Sequence, residues 1–367
     1  MVHAKRSIEA LSRLVFSGST SDFDRPAEDL DALRVDVQYV AAMGSVEWTE
    51  FVRLADAHHV KVRALAVLEK AAAENHLPQV AENCAVALAD ERARIEHAVA
   101  ELKTVCGTLE SPQYPLVVIK SLDHWPDLGS DLDLYTTAGE EYVRSTMEKQ
   151  LNAQAVERSW GDRLAHKWNF AVPGLEELVE IHVQYLGQTG EHKRLARRVV
   201  ARRIEKTLDG LSFHVPAPEE RIMISTLQRM YRHFYFRLCD MLDFARLLHT
   251  RSVDFAELKR AAEDGGIWPG VCAFLLLVAK YVESYGRHVD LPEEILASAR
   301  GPRKEVWFEN GFLRVSKVSA AGLYGSQLLR AGLRRDLRAV CRLPLLPPLA
   351  ISALLAYRLT GSDKGVW

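Results

Sequence analysis

The chain has 367 residues, which at ~150 residues per domain predicts about two domains, and 48% hydrophobic with 26% charged residues is an ordinary globular composition. Disordered, collagenous and disulfide-stapled classes are excluded. Lys+Arg 47 against Asp+Glu 49 leaves a formal charge of −2, so the chain lacks the overall basic footprint of a general nucleic-acid binder. Cys84, Cys106, Cys239, Cys272 and Cys341 stand far apart with no C-x-x-C pair. Their spacing implies neither a zinc site nor a disulfide framework, and predicts a reducing, cytoplasmic setting.

The first residues carry Lys5 and Arg6 but no apolar run of secretory length, so no signal peptide is expected. Residues 1–110 read as helix. Trp48, Phe51, Val52, Ala55 and His59 recur at steps of three and four, as do Val62, Leu65, Ala66 and Leu68, and Asp90–Val105 carries Ile95, Val99 and Leu102 on one stripe. The period then changes. The β-branched run Tyr114–Ile119 and the segment Leu132–Tyr135 read as strands, Glu141–Leu151 as a helix, and His166–Val172 and Leu178–Tyr185 as strands split by Pro173-Gly174.

From about 190 the helical period returns and continues to near 300. Pro218-Glu219-Glu220 opens a helix expected to run unbroken to about His249, and Gly265-Gly266 and Trp268-Pro269-Gly270 separate the next two. From Arg314 onward only Asp336 and Asp363 are acidic. In Leu343–Leu359 the pair Pro347-Pro348 is expected to break the helix, leaving too little to cross a bilayer. The expected fold is therefore α+β and mostly helical. A helical region at 1–110 precedes a mixed-sheet core at 111–190, followed by a helical domain at 191–300 and a basic helical tail at 301–367.

The chemistry is concentrated in Gly129-Ser130-Asp131-Leu132-Asp133-Leu134-Tyr135. Residues two apart on a strand share a face, so Asp131 and Asp133 point one way and Leu132 and Leu134 the other. An isolated D-x-D is most often a solvated strand end. Here Glu180, in Leu178-Val179-Glu180-Ile181-His182-Val183, repeats the alternation and offers a third acid. Three carboxylates on one face suit a hard divalent cation, Mg²⁺ or Mn²⁺, for in-line phosphoryl chemistry. Lys120-Ser121 follows the Leu116–Ile119 strand, and a helix starting there would aim free N–H groups, the hydroxyl and the ammonium at a triphosphate.

These residues resemble the signature of the DNA polymerase β-like nucleotidyltransferases, in which a turn with Ser precedes an acid-x-acid strand and a third acid. More closely, the chain resembles the bacterial family described as uncharacterised nucleotidyltransferases. That resemblance runs through Trp48–Val60, Val118-Ile119-Lys120, Ser130–Leu134, Glu180-Ile181-His182 and the segment Pro218–Ala245 with His233, Arg237 and Asp243. It implies metal-dependent transfer of a nucleoside monophosphate from an NTP, with ATP the expected donor. Asp131, Asp133 and Glu180 would be the catalytic and metal-binding acids, and Lys120, Ser121 and Ser130 would stand at the phosphate turn. The family turn usually carries a glycine beside the Lys or Ser; this chain has none, and its third acid is Glu rather than Asp. A fold that binds nucleotide or a partner with weakened catalysis is the alternative.

Other residues have two readings. His182 would orient a metal ligand or contact substrate, or be a plain strand histidine, and Lys167 would neutralise a phosphate. The basic run His192–Arg203 would attract NTP or an anionic acceptor such as RNA, or be a solvated helix face with Leu195 and Val199 buried. It has no interleaved aromatics for stacking bases. The acceptor is therefore expected to be a small molecule, peptide or protein rather than nucleic acid. His233, Arg237 and Asp240 would form one polar stripe on the long helix. The tail (Arg314, Lys317, Arg330, Arg334, Arg335, Arg338, Arg342) would contact an anionic membrane peripherally or pack on its own body.

Overall fold

The computed structural model describes residues 2–17, 28–298 and 305–360. Residues 301–304 and 361–367 of the expected tail, with Asp363, lie outside the described residues. The fold is α+β and mostly helical, with a small mixed sheet held between helical regions.

The amphipathic N-terminal stretches form α1 (Val2–Ser17), α2 (Glu28–Ala41), α3 (Ser45–Ala57), α4 (Lys61–Glu74) and α5 (Pro78–Leu109). Pro78 occupies the first turn of α5, where its missing N–H costs nothing. Phe51, Ala55, Leu65, Leu68, Ile95, Val99 and Leu102 are all buried, as their spacing predicts.

The core follows with β1 (Leu116–Val118), β2 (Asp131–Thr136), α6 (Glu140–Gln150), β3 (Gln154–Ala155), α7 (Trp160–Ala165), β4 (Lys167–Ala171) and β5 (Leu178–Val183). The strands lie in the order β1-β2-β5-β4-β3. β2 and β5 are parallel, and the crossover that parallel pairing requires is supplied by α6 to β4. β1 is antiparallel to β2, and β4 is antiparallel to β5 and to β3. Leu132, Leu134, Phe170, Val179, Ile181 and Val183 line one sheet face and are buried. Strand alternation sends Asp131, Asp133, Glu180, His182, Lys167 and Asn169 to the other face.

Beyond the sheet come α8 (Lys193–Ala201), β6 (Ile204–Leu208), β7 (Leu211–Val215), α9 (Pro218–Thr226), a π-helical turn over Leu227–His233, β8 (Tyr235–Phe236) and α10 (Leu238–His249). Then follow α11 (Phe255–Asp264), α12 (Trp268–Glu283), α13 (Glu293–Ser298), β9 (Trp307–Glu309), β10 (Phe312–Arg314), α14 (Lys317–Leu333), α15 (Leu337–Arg342) and α16 (Leu346–Thr360). Among the described residues no helix is long and apolar enough to cross a membrane.

Four expectations are corrected. The 218–249 helix is broken, because Phe234 adopts φ +58° and β8 pairs with β10 before α10 begins. His233, Arg237 and Asp240 therefore form no common stripe: Asp240 instead accepts from the Arg237 backbone N–H at 2.7 Å and pairs with Arg229 at 2.8 Å. The 190–300 region is not wholly helical, since β6 and β7 form a hairpin whose Asp209-Gly210 turn has φ +46° and +82°. Pro347 and Pro348 sit in the first turn of α16 and start that helix rather than breaking it.

Two arginines of the basic run, Arg198 in α8 and Arg202 just after it, are paired within the fold. Arg198 pairs with Glu220 and Glu257, and Arg202 with Glu219 and Glu220, while Leu195 and Val199 are buried. The tail is pinned to the loop after β5. Arg338 donates to Gly190 O, Arg342 to Leu164 O and Thr189 O, and Gln327 Nε2 lies 3.1 Å from His192 Nε2. That loop turns at Gly187, where φ is +96° and a Cβ would fall 2.4 Å from the Glu191 carboxylate, so only glycine fits.

Candidate active site

The site is built by register. Across the parallel pair, Asp133 lies opposite Glu180 and Tyr135 opposite His182. Across β5 and β4, His182 faces Lys167 and Glu180 faces Asn169. Asp133, Glu180 and His182 thus offer ligand atoms within 4.8 Å of one another, and all three are buried. Asp131 stands one strand pair further along the same face, half-buried, with the Ser130 hydroxyl 3.2 Å from its Oδ1. It is not among the three ligand-type groups that converge.

The acids are held by cations. Lys120 Nζ lies 2.5 Å from Asp133 Oδ1, and Lys167 Nζ lies 2.9 Å from Glu180 Oε2 and 2.8 Å from Asp162 Oδ1. His182 Nε2 is 3.0 Å from Glu180 Oε1, so the Nε2–H tautomer donates to that oxygen. Asp133 Oδ1 is buried against Lys120 Nζ, while His182 Nδ1 is buried with no hydrogen-bond partner among the described residues.

The electrostatics separate the two central acids. Burial pushes the Asp133 carboxyl up to about 8, with Lys120 opposing and Glu180 and Asp131 adding to the rise. Burial also opposes ionisation of Glu180, but Lys167, the His182 hydrogen bond and Lys120 outweigh it and hold Glu180 well below the usual range. Burial lowers His182. The face therefore presents one ionised carboxylate and one that keeps its proton near neutral pH until a further cation arrives.

Ser121 serves the strand rather than an open hollow. Its hydroxyl donates to Asp131 O at 3.2 Å and accepts from the Asp133 N–H at 2.7 Å, which fixes the backbone on either side of Leu132. The expected helix after Lys120 is only a single 3-10 turn, Ser121–His124, so it supplies no helix N-terminus of useful length. The Lys167 ammonium is likewise committed to two carboxylates.

Sequence reasoning missed Asp162, which shares Lys167 with Glu180. The signal was present in Ser159-x-x-Asp162, a capping box in which each side chain accepts from the other's backbone N–H, at 3.0 and 3.1 Å. It also missed Arg232, which lines a cavity of about 60 Å³ together with Lys120, His182, Gln188, Tyr231 and Gln327. Arg232 Nε is buried with no hydrogen-bond partner among the described residues.

The family model described as uncharacterised nucleotidyltransferase matches residues 44–283, well over half of the chain. The match takes in α3 to α12 and all three acids; α14 to α16 lie beyond it. No curated protein and no solved structure matches the chain.

Proposed function

The chain belongs to the uncharacterised nucleotidyltransferase family, and on that premise we propose that it moves a nucleoside monophosphate from an NTP, with ATP the first donor to try, to a small-molecule, peptide or protein acceptor. The observation that carries this reading is the facing of Asp133 and Glu180 across the parallel strands, with His182 Nδ1 buried beside them and without a hydrogen-bond partner among the described residues. A small divalent ion suits this group: the carboxyl oxygens are hard, Glu180 is ionised, and the Asp133, Glu180 and His182 ligand atoms lie within 4.8 Å of one another. Asp131, Asp133 and Glu180 would hold Mg²⁺ or Mn²⁺, which when bound would polarise the transferred phosphorus and stabilise the leaving pyrophosphate.

The chain's own residues have separable tasks. Ser121 keeps Asp131 and Asp133 at a fixed pitch by clamping the β2 backbone. Lys167 and His182 keep Glu180 ionised and aimed. Lys120 and Arg232, both on the cavity wall, would meet the negative charge of a triphosphate, and Lys120 would exchange Asp133 for phosphate as it did so.

Transfer of label from α-labelled NTP tests the reading. The parent should release pyrophosphate and retain label on an acceptor, whereas Asp131→Ala and Asp133→Ala should lose transfer by about 10²–10³-fold or more while remaining folded. Equal labelling by parent and mutants would refute it.

A second reading is favoured by the contacts themselves: Lys120 and Lys167 already occupy both acids, as in a nucleotide-binding or interaction module with weakened catalysis. Calorimetry separates the two, because NTP heat that is the same with and without Mg²⁺ belongs to the module.

A further inference from the structure

A second group of ligand-type side chains lies outside the acid face. His59, at the corner between α3 and α4, His124, in the 3-10 turn before β2, and Cys239, in the first turn of α10, place nitrogen and sulfur atoms within 4.8 Å of one another. The two imidazole rings meet edge-on with centroids 5.4 Å apart. His124 Nε2 lies 3.8 Å from Cys239 Sγ. For one tetrahedral ion with Zn–N of about 2.0 Å and Zn–S of about 2.3 Å, the expected N···S separation is about 3.5 Å.

The surroundings prepare each atom for the same task. His124 Nδ1 is 2.6 Å from Asp243 Oδ2, so the Nδ1–H donates to the carboxylate and Nε2 is turned toward Cys239. This carboxylate–histidine pairing is the usual support for a metal-bound imidazole. His59 Nδ1 is buried and has no hydrogen-bond partner among the described residues. Burial holds the His59 ring well below its ordinary pKa, so it is neutral with a lone pair to give. Cys239 is fully buried and unpaired by disulfide, and burial raises its thiol above the ordinary value, so without a metal it keeps its proton.

We propose that His59, His124 and Cys239 bind one zinc-class divalent ion, with water in the fourth position. Two imidazoles and a thiolate select Zn²⁺ over Mg²⁺, whereas the carboxylate face selects the harder ion, so the two sites take different metals. Burial opposes the His124 cation but Cys239 and Asp243 outweigh it, so coordination releases two protons to solvent, the Cys239 thiol proton and the His124 Nε2 proton, and changes no oxidation state. The ion ties the α3–α4 corner and α10 to the turn that leads into β2. It also bears on the D-x-D segment, because Gly129 packs so closely on the His59 ring that a Cβ there would fall 2.9 Å from Cε1. Cysteine spacing gave no hint of this, since the three ligands come from segments 65 and 115 residues apart.

The test uses the untagged chain, loaded with Zn²⁺ and dialysed against metal-free buffer, with metal counted by mass spectrometry. One zinc per chain should remain in the parent and in Asp133→Asn, and should be lost in Cys239→Ser and in His59→Asn. Asparagine suits the left-handed backbone at position 59, where φ is +51°, so His59→Asn keeps the test valid if Cys239→Ser does not fold. Cobalt loading should give a thiolate-to-cobalt charge-transfer band in the parent and in Asp133→Asn, and not in Cys239→Ser or His59→Asn. No retained zinc, or zinc and band unchanged in His59→Asn, would overturn the proposal in favour of a metal-free His124–Cys239 hydrogen bond.

Discussion

The connection between β1 and β2 carries the ends of two buried charge networks built on opposite terms. At one, Arg63 joins Asp127 and Asp243: Asp127 accepts from the Val62 N–H and Arg63 Nε, both at 2.6 Å, and Asp243 from Arg63 Nη1 at 2.5 Å and His124 Nδ1 at 2.6 Å. Every carboxylate oxygen there has a donor. At the other, Asp133 rests on Lys120 and Glu180 on Lys167, but His182 Nδ1 is buried with no hydrogen-bond partner among the described residues. A saturated network spends its charges on holding α4, α10 and the turn together. An unsaturated one keeps coordination in reserve for a ligand.

Breaking the saturated network should therefore cost the most stability. Arg63→Ala leaves Asp127 and Asp243 buried without their shared cation, and urea unfolding should show a loss of about 3–5 kcal/mol. A loss below about 1 kcal/mol would show that water replaces the guanidinium at no penalty. On the acid face the effect should fall on function instead. Asp133→Asn should reduce nucleotidyl transfer by about 10²–10³-fold, yet in chelator at pH 8 it should be at least as stable as the parent.

The sign of that second effect follows from the raised Asp133 carboxyl. The native group holds its proton up to about 8, while the unfolded one loses it near 4, so the metal-free parent loses stability as pH climbs between those values. The advantage of Asp133→Asn should accordingly vanish toward pH 4. Asp243 runs the other way: burial raises it, but Arg63 and His124 prevail and hold it at about 2, so its contribution is present above about 4 and lost as pH falls through 2.

A finer comparison uses the cation itself. Mg²⁺ must displace the Asp133 proton, so its affinity should rise about tenfold per pH unit up to about pH 8 and then level off. Titration calorimetry in buffers of different ionisation enthalpy would read the released proton, and a pH-independent affinity would mean that Asp133 is not a ligand. The smallest effect belongs to an exposed pair outside both networks. Arg144→Ala, which removes the Arg144–Glu141 contact, should change stability by less than about 0.5 kcal/mol.

The acid face was readable because a strand has period two: Leu132 and Leu134 between Asp131 and Asp133, and Val179 and Ile181 around Glu180, set both orientation and depth. The saturated network was not readable. Arg63, Asp127 and Asp243 are separated by 64 and 116 residues, and no local spacing joins them. The break at Phe234 also left no mark, since no Gly or Pro stands there and the apolar pattern continues through Phe236 and Leu238. By contrast, Asp209-Gly210 is a plain hairpin signal between β6 and β7 that the surrounding helical period concealed. Lys120 was legible as a cation next to the site, but its pairing with Asp133 depends on how β1 runs alongside β2.

The most direct measurement is a crystal structure with Mn²⁺ and a non-hydrolysable NTP, read by anomalous scattering. The expected result is a peak at about 2.1–2.2 Å from Asp133 Oδ1 and in contact with Glu180, with Lys120 moved onto phosphate. A bound triphosphate with no manganese on this face, and Lys120 still on Asp133, would contradict it.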